Sequence, residues 1–483
     1  MNKTRVTYFA LGALVSAVSC TTEMAGPDVY DWTEGEIYFR TSLNDVATSR
    51  ADDMTLDRLE SFQVTCFNTV DLKKDAEGII SPYFEDATFV RRTSPAGATY
   101  VSDPADGPRN WPEKSGVIKF FAFSPSCAVM ASDNSAFTEA NRSEYFILRN
   151  KTTDANSTMA IDYRLGTVRV NPDISRQFDF VTAEASGERL KEFISGVDLA
   201  FRHQMSQVEL KAWGASAYNF EIAGVRLGNP LVEGTFVFSD ATAPASSARW
   251  ATADNAVMDK VEYLYRGNVN TDDGPLPASG DKIFSINPTT HNTPESAASI
   301  MGRGGCAMVI PTVNPRWEGL ADPNIAAKPY STGKMYFSIL LRVTPTSGGK
   351  SIYPYPGNPY DMTVVYYAVD RSDAIVARLY PGQKDGEFFT DSALQHPYTA
   401  AEGEEVKEFG WAAVPVDADW IAGKRYVYTL DYSEGIGLHD PQDPDPGKPI
   451  AMISAPVSWG VSVSTWQEAE KNEDFDPDVN VPH

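Results

Sequence analysis

The chain has 483 residues, of which 42% are hydrophobic and 11% aromatic, and its formal net charge is −24. A chain of this length is usually too long to fold around a single hydrophobic core, so it predicts two domains. The share of apolar residues excludes global disorder. The negative charge argues against nucleic acid and anionic lipid headgroups as partners, because both would repel the chain.

The first residues predict export. Two basic residues precede the apolar stretch Tyr8–Val18, which is too short to span a bilayer and instead predicts a signal peptide over residues 1–20. The residues before Cys20 resemble the lipobox of bacterial lipoproteins, although Ala17 replaces the usual leucine. The pattern predicts that Cys20 becomes the lipidated mature N-terminus and that lipid anchors the protein to a membrane. The alternative is an ordinary signal peptide with an incidental cysteine.

The cysteines outside the signal peptide do not form a disulfide framework. Three remain if Cys20 is lipidated, which permits at most one disulfide. Cys66 alternates with Phe62 and Val64, so we expect it to be a buried free thiol.

Short runs of β-branched and aromatic residues recur along the chain, each bounded by Gly, Pro, Asn or Asp, and they predict antiparallel sheets. Only two short helices are indicated, at Met54–Ser61 and Gly187–Ile194. The predicted strands are Ile37–Arg40, Phe62–Phe67, Val117–Phe123, Phe178–Thr182, Gln207–Trp213, Phe220–Leu227, Thr235–Phe238, Met308–Pro311, Met335–Val343, Thr363–Val369, Tyr426–Leu430 and Val457–Val463.

Composition divides the chain into four parts. An N-terminal segment over residues 21–50 follows the signal peptide, and a polar stretch near residue 195 separates a first domain over 51–195 from a second over 196–483. Within the second, the proline-rich stretch 439–449 cannot join a sheet interior, because proline lacks the donor N–H. This stretch predicts a tether that sets the C-terminal strand apart, and an acidic tail follows that strand.

The tethered strand is amphipathic. Its apolar side chains, Val457, Trp459, Val461 and Val463, alternate with serine and glycine. Such a strand is able either to complete its own domain or to pair with another chain.

No catalytic or ligand-binding motif is present in the sequence. The five histidines lie outside metal-ligand spacing of one another, and there is no Cys-x-x-Cys pair, nucleophile elbow or phosphate-binding loop. His203 lies between Phe201 and Met205 on one face of a strand, so we interpret it as a core histidine. The sequence therefore predicts a protein that is not an enzyme and binds no cofactor or metal.

Four motifs, in this order along the chain, resemble the fimbrillin family of pilus subunits from Gram-negative outer surfaces. They are Trp111-Pro112 with the strand Ile118–Pro125, the pair Phe178–Ala183 and Leu199–Val208, the stretch Met308–Pro311, and the closing strand Gly423–Leu430. The loop over residues 241–255 has no counterpart in the family pattern.

The resemblance implies an all-β fold of two tandem transthyretin-like antiparallel β-sandwich domains. It also implies assembly with other fimbrial subunits by donor-strand exchange at the cell surface, in which a protease removes the first strand and a neighbour's strand replaces it. Glu36–Arg40 would be the removable strand and Arg50 the processing site, with Arg40 a weaker candidate and an unprocessed arginine the alternative. Val457, Trp459, Val461 and Val463 would form the donor.

Two questions stay open at this point. A non-polymerising, glycan-binding surface lipoprotein would also be acidic, β-rich and aromatic, and the long loops would equally suit a tip subunit that binds a surface receptor. Sequence also leaves undecided whether the last strand pairs with its own domain or with another subunit.

Overall fold

The structure is a computed structural model. It describes residues 35–43, 59–74, 80–94, 97–113, 116–125, 128–130, 146–148, 163–170, 174, 177, 179–192, 195–231, 233–238, 250–251, 263–264, 267–268, 276–277, 279–301, 306–317, 334–354, 364–441 and 457–465. Cys20 and Arg50 lie outside these ranges.

The described residues form almost only strands. The strands of the first half are β1 (Phe39–Leu43), β2 (Ser61–Asn68), β3 (Lys73–Lys74), β4 (Ile80–Ser81), β5 (Phe84–Ser94), β6 (Gly97–Ser102), β7 (Val117–Ser124), β8 (Ala128–Met130), β9 (Phe146–Leu148), β10 (Tyr163–Arg169), β11 (Val181–Glu188) and β12 (Val197–His203).

The second half continues with β13 (Ser206–Trp213), β14 (Tyr218–Gly228), β15 (Glu233–Phe238), β16 (Trp250–Ala251), β17 (Tyr263–Leu264), β18 (Gly267–Asn268), β19 (Leu276–Pro277), β20 (Phe284–Ile286), β21 (Ala298–Ser299), β22 (Ala307–Val309), β23 (Val313–Asn314), β24 (Tyr336–Pro345), β25 (Val365–Val369), β26 (Ile375–Pro381), β27 (Phe388–Phe389), β28 (Glu405–Pro415), β29 (Ala418–Asp419), β30 (Lys424–Asp431), β31 (Leu438–His439) and β32 (Ser458–Thr465). Each of the predicted runs overlaps one of these strands, so the all-β class is confirmed.

The two predicted helices differ from the structure. The helix expected over Gly187–Ile194 is reduced to the single turn α1 (Arg189–Glu192), because β11 continues along β7 as far as the pair Glu188–Val117. The helix expected over Met54–Ser61 is wrong at its end, where Ser61 begins β2. In the described part of the chain, no helix is long and apolar enough to cross a membrane.

Seven strands of the first half close into a barrel in the order β1-β12-β11-β7-β2-β5-β6. Alternation explains the interior, because Phe62, Val64 and Cys66 of β2 point the same way and are fully buried. On β7, Ile118, Phe120 and Ala122 point into the barrel while Phe121 and Phe123 point outward into a second core. This strand is therefore buried on both faces, as its apolar sequence predicts.

A five-stranded sheet, β16-β15-β10-β9-β8, covers the outer face of the barrel and combines strands from both halves of the chain. Tyr163 of β10 lies 5.0 Å from Phe121 and 5.5 Å from Phe67 of the barrel, between ring centroids. It also stacks on Phe238 of β15 at 5.5 Å. The two halves therefore share one continuous apolar core.

Two further sheets pack face to face in the second half. One has the order β21-β13-β30-β32, with β22 also paired to β13, and the other has β14, β24 and β28 at its centre. Between them, the rings of Phe337 on β24 and Tyr428 on β30 meet edge to face at 4.8 Å. Tyr428 is 2% exposed and Phe120, in the barrel, is fully buried, so both are core positions as predicted.

The chain passes from the barrel to the second half between β12 and β13. β12 ends at His203 and β13 begins at Ser206. His203 is buried and its Nδ1 lies 2.6 Å from Oδ2 of Asp179, consistent with the interpretation of a core histidine. The indole N–H of Trp250 donates to the carbonyl of Gln204 at 2.8 Å, which ties the shared sheet to this crossing.

Candidate functional site

The first strand closes the barrel and fills its centre. Phe39 of β1 is fully buried, and its ring meets the rings of Phe89 at 4.7 Å, Phe120 at 5.2 Å and Phe62 at 5.9 Å. Ile37, two residues earlier, is also fully buried. β1 thus supplies the buried ring against which aromatic side chains of β2, β5 and β7 pack.

Both edges of β1 are hydrogen-bonded. It runs parallel to β12, with Phe39 opposite Val197, and antiparallel to β6, with Phe39 opposite Tyr100. Just before the strand, the Ile37 N–H donates to the carbonyl of Arg109 at 2.7 Å. Loss of β1 would therefore leave one unpaired edge on β12 and another on β6, with a hydrophobic groove between them.

The outward face of β1 is held more weakly. The Arg40 guanidinium contacts the Asp198 carboxylate at 2.7 Å, with the two side chains 49% and 72% exposed. An ion pair this exposed contributes little to stability. The attachment of β1 thus rests on its backbone pairing and on its inward side chains.

The C-terminal strand pairs with its own chain in this structure. β32 lies antiparallel to β30 over eight residue pairs, from Lys424–Thr465 to Asp431–Ser458, without a register shift. The Trp459 indole N–H donates to the carbonyl of Pro415 at 3.1 Å, and its ring lies 5.6 Å from that of Tyr428.

The apolar stripe of β32 is only half covered. Val457 is 6% exposed and Trp459 is partly buried, but Val461 and Val463 are 38% and 55% exposed. The register places these two valines beside Tyr428 and Tyr426, which are buried. The opposing sheet therefore covers the start of the strand and leaves its second half open to solvent.

The outer edge of β32 lacks the features that usually protect an edge strand. Among the described strands, β32 is the last of its sheet. Natural edge strands discourage pairing with other chains by carrying charges, proline or a bulge. Ser458–Thr465 contains no charged residue and no proline, although the chain as a whole carries a net charge of −24.

Two groups of buried charges in the described part of the second half are paired. Lys407 Nζ lies 2.6 Å from Glu221 Oε1, and Arg342 approaches the other oxygen of the same carboxylate at 2.5 Å. Burial works against ionisation of Glu221, but hydrogen bonds from these two cations together hold its pKa below the usual value. Asp440 pairs with Arg226 at 2.9 Å, and both side chains are buried.

The described residues contain no group of three or more His, Cys, Asp or Glu side chains arranged to hold a metal ion. Cys66 and Cys306 are buried and are not joined in a disulfide, and burial raises the pKa of the Cys66 thiol. A raised pKa disfavours the reactive thiolate, which agrees with the expected inert core cysteine.

The sequence patterns predicted β1 and β32 but did not predict β6, the strand that borders β1 on one side. β6 was not predicted, although Thr99-Tyr100-Val101 has strand composition, because this run is only a few residues long. Alternation correctly placed Phe62, Val64 and Cys66 on one buried face of β2. It gave no sign that β1 joins β12 in parallel, because such pairing is decided by residues far apart in the chain.

Residues 49–273 match the model of the fimbrillin-like family. No curated protein sequence matches the chain significantly. Among solved structures, a fimbrial protein from Bacteroides vulgatus shares 11% identity, covering 89% of this chain and 99% of its own, with a TM-score of 0.44.

Two structures from Porphyromonas gingivalis are also similar. The fimbrilin FimA has 11% identity over 91% of this chain and 99% of its own, with a TM-score of 0.35. The fimbrial anchor protein Mfa2 has 13% identity over 75% and 99%, with a TM-score of 0.25. The family match over residues 49–273 confirms the resemblance that the motifs predicted.

Proposed function

We propose that this protein is a subunit of a fimbrium, exported to the cell surface and joined to neighbouring subunits by donor-strand exchange. The observation that carries the proposal is that one chain contains a first strand that fills a barrel and a last strand that is partly uncovered. β1 closes a barrel and buries Phe39 at its centre, whereas β32 is an uncharged edge strand with half of its apolar stripe exposed.

Energetics favour replacement of β1 once it has been removed. An empty groove would expose the side chains around Phe39 and the backbone edges of β12 and β6, which costs free energy until another strand fills it. In a groove, Val461 and Val463 would bury the surface that they now expose. At the usual value for a buried valine, this gain is on the order of 1.5 kcal/mol.

Processing would release β1 by a cut in the segment that follows it. Arg40 lies inside β1, where its neighbours on both sides are paired, so a protease that needs an extended, accessible chain would act elsewhere. Arg50 follows in the polar sequence between β1 and β2 and is the site we propose.

Export and anchoring rest on the signal peptide and on lipidation of Cys20. The acidic surface suits a soluble, exposed location and disfavours binding to nucleic acid. We further propose that the two halves of the chain derive from transthyretin-like sandwiches, and that the protein serves in the shaft or at the tip of the fimbrium, where it would meet a surface receptor.

Limited trypsin treatment of the purified precursor tests this function. Cleavage near Arg50 should release β1 and produce a ladder of oligomers, while an Arg50→Ala precursor, the matched control, should stay uncut there and monomeric. Deletion of Val457–Trp466 should leave the cleavage intact and abolish the ladder. Cleaved full-length protein that stays monomeric at high concentration would contradict the proposal and favour a non-polymerising, glycan-binding lipoprotein.

A further inference from the structure

The second half of the chain carries a small pocket at its end remote from the barrel. Its volume is about 30 Å³, and it is lined by Tyr218, Phe220, Val343, Tyr432, Ser433, Glu434, Gly435 and Ile436. A water molecule needs about 10–15 Å³ of such space, so the pocket has room for about two groups of that size. The site therefore suits the end of one substituent rather than a whole ligand.

The course of two successive strands separates the pocket from the barrel. β14 begins in the pocket at Tyr218 and ends at Gly228, about 30 Å away at the usual rise per residue. β15 comes next and lies against the barrel, where the ring of Phe238 is 5.2 Å from that of Phe121. The pocket and the barrel thus lie at opposite ends of β14, and the groove around β1 is not part of the site.

Hydrogen bonds hold the walls of the pocket in place. The Tyr432 N–H donates to the Trp213 carbonyl at 2.9 Å, and the Ala215 N–H donates to Ser433 Oγ at 3.0 Å. The Ser433 N–H in turn donates to Asp431 Oδ1 at 2.8 Å. The loops that follow β13 and β30 are therefore tied together, and a site that is already ordered loses little free energy in ordering its loops when a ligand binds.

The buried side chains that line the pocket are apolar except for one hydroxyl. Phe220, Val343 and Ile436 are each at most 2% exposed. The rings of Phe220 and Tyr432 are 5.2 Å apart, and the buried Tyr432 hydroxyl has no hydrogen-bond partner among the described residues. A buried hydroxyl without a partner costs free energy, so a ligand acceptor that reaches it would be stabilised. These side chains favour a ligand group that combines a small apolar part with a hydrogen-bond acceptor.

The more exposed lining residues form a polar, negatively charged rim. Glu434 is exposed, Tyr218 and Ser433 are partly exposed, and none of the described residues that line the pocket is basic. A carboxylate only accepts hydrogen bonds, so Glu434 favours an N–H or O–H group of a ligand. It repels anions, as does the net charge of −24. Tyr218 adds an aromatic ring against which the apolar face of a sugar packs.

We propose that this pocket binds the acetamido group of a neutral N-acetylated sugar at the end of a glycan chain. The methyl group would lie against the apolar side chains, the carbonyl would accept from the Tyr432 hydroxyl, and the N–H would donate to the Glu434 carboxylate. A plain hexose has a hydroxyl in place of this group and would leave the apolar part of the pocket unfilled. The inference rests on the proposed function for the cell-surface location, and it names the class of receptor that the protein would meet there.

Saturation-transfer NMR on the full-length, uncut protein tests the site with the methyl β-glycoside of N-acetylglucosamine. The acetamido methyl protons should receive the largest saturation of all ligand protons, because they would lie deepest in the pocket. The methyl β-glycoside of glucose, the matched probe, should give a signal several-fold weaker. N-acetylneuraminic acid should also bind several-fold more weakly, because its carboxylate would meet Glu434.

Substitutions at the rim separate this pocket from other surfaces. E434A should weaken binding several-fold, and Y218A should do the same by removing the aromatic wall. Tyr218 also packs against the core, whereas Glu434 is exposed, so E434A is the variant that leaves the fold intact. The matched control is E402A, whose side chain is 95% exposed in another loop and whose loss should leave binding unchanged.

Three results would overturn the inference: no saturation transfer to either glycoside, equal transfer to both, or binding that E434A and E402A affect alike. Each of them would leave the proposed function standing, because none involves cleavage or oligomers. Selective binding by a protein that stays monomeric after cleavage would instead support the pocket and overturn donor-strand exchange.

Discussion

Truncation of Phe39 to Ala tests whether β1 is the central insert of the barrel. The side chain is fully buried and meets three aromatic rings at centroid distances between 4.7 and 5.9 Å. Replacement of a buried phenylalanine by alanine costs about 3–5 kcal/mol, because apolar burial is lost and a cavity remains. The three ring contacts add to area burial, so we expect a loss of about 4 kcal/mol.

The assay is urea unfolding of the uncut precursor, with the free energy of unfolding compared between the natural protein and F39A. The matched control is R40A on the same strand, whose exposed ion pair with Asp198 predicts a loss below about 1 kcal/mol. The reasoning would be refuted if F39A lost less than about 1 kcal/mol, or no more than R40A, since β1 would then not be packed as described.

Three further predictions concern other parts of the molecule. Cys20→Ala should remove palmitate labelling and release the protein from membranes, and unchanged labelling would exclude lipidation at this residue. Phe120→Ala and Tyr428→Ala should each cost about 3–5 kcal/mol in urea unfolding, and losses below about 1 kcal/mol at both would show that β7 and β30 are not core strands. Glu221 has a lowered pKa in the folded state, so its contribution to stability should be present above its ordinary value of 4.5 and be lost as the pH falls through the folded value. The difference in unfolding free energy between the natural protein and E221Q should therefore shrink in acid, and a difference that is independent of pH would contradict the pairing with Lys407.

Sequence patterns predicted the strands with a strong apolar or alternating character. Val117–Phe123 was predicted and β7 spans Val117–Ser124, because a strand that is buried on both faces carries apolar residues at almost every position. β5 and β28 were missed, although they are long. β28, for example, begins with three charged residues, Glu405, Lys407 and Glu408, before its apolar part, so its sequence alternates only in places.

The features that depend on distant parts of the chain were not predictable. The shared sheet joins β10 to β15 across some 70 residues of sequence, and nothing local specifies that register. For β32, alternation predicted the apolar stripe correctly but gave no information on its exposure. The Trp459 indole N–H reaches the Pro415 carbonyl at the end of β28, whereas Val463 is 55% exposed, and only the packed structure shows this difference.

The central claim is that a neighbour's strand replaces β1 between β12 and β6. An electron cryo-microscopy map of the filaments formed after cleavage tests this most directly, because the side chains in that position are distinctive. Donor-strand exchange predicts density for an apolar strand of an adjacent subunit, from its residues Val457–Val463, packed against Phe62, Phe89 and Phe120. Density for Phe39 of the same chain at that position, in assembled filaments, would contradict it.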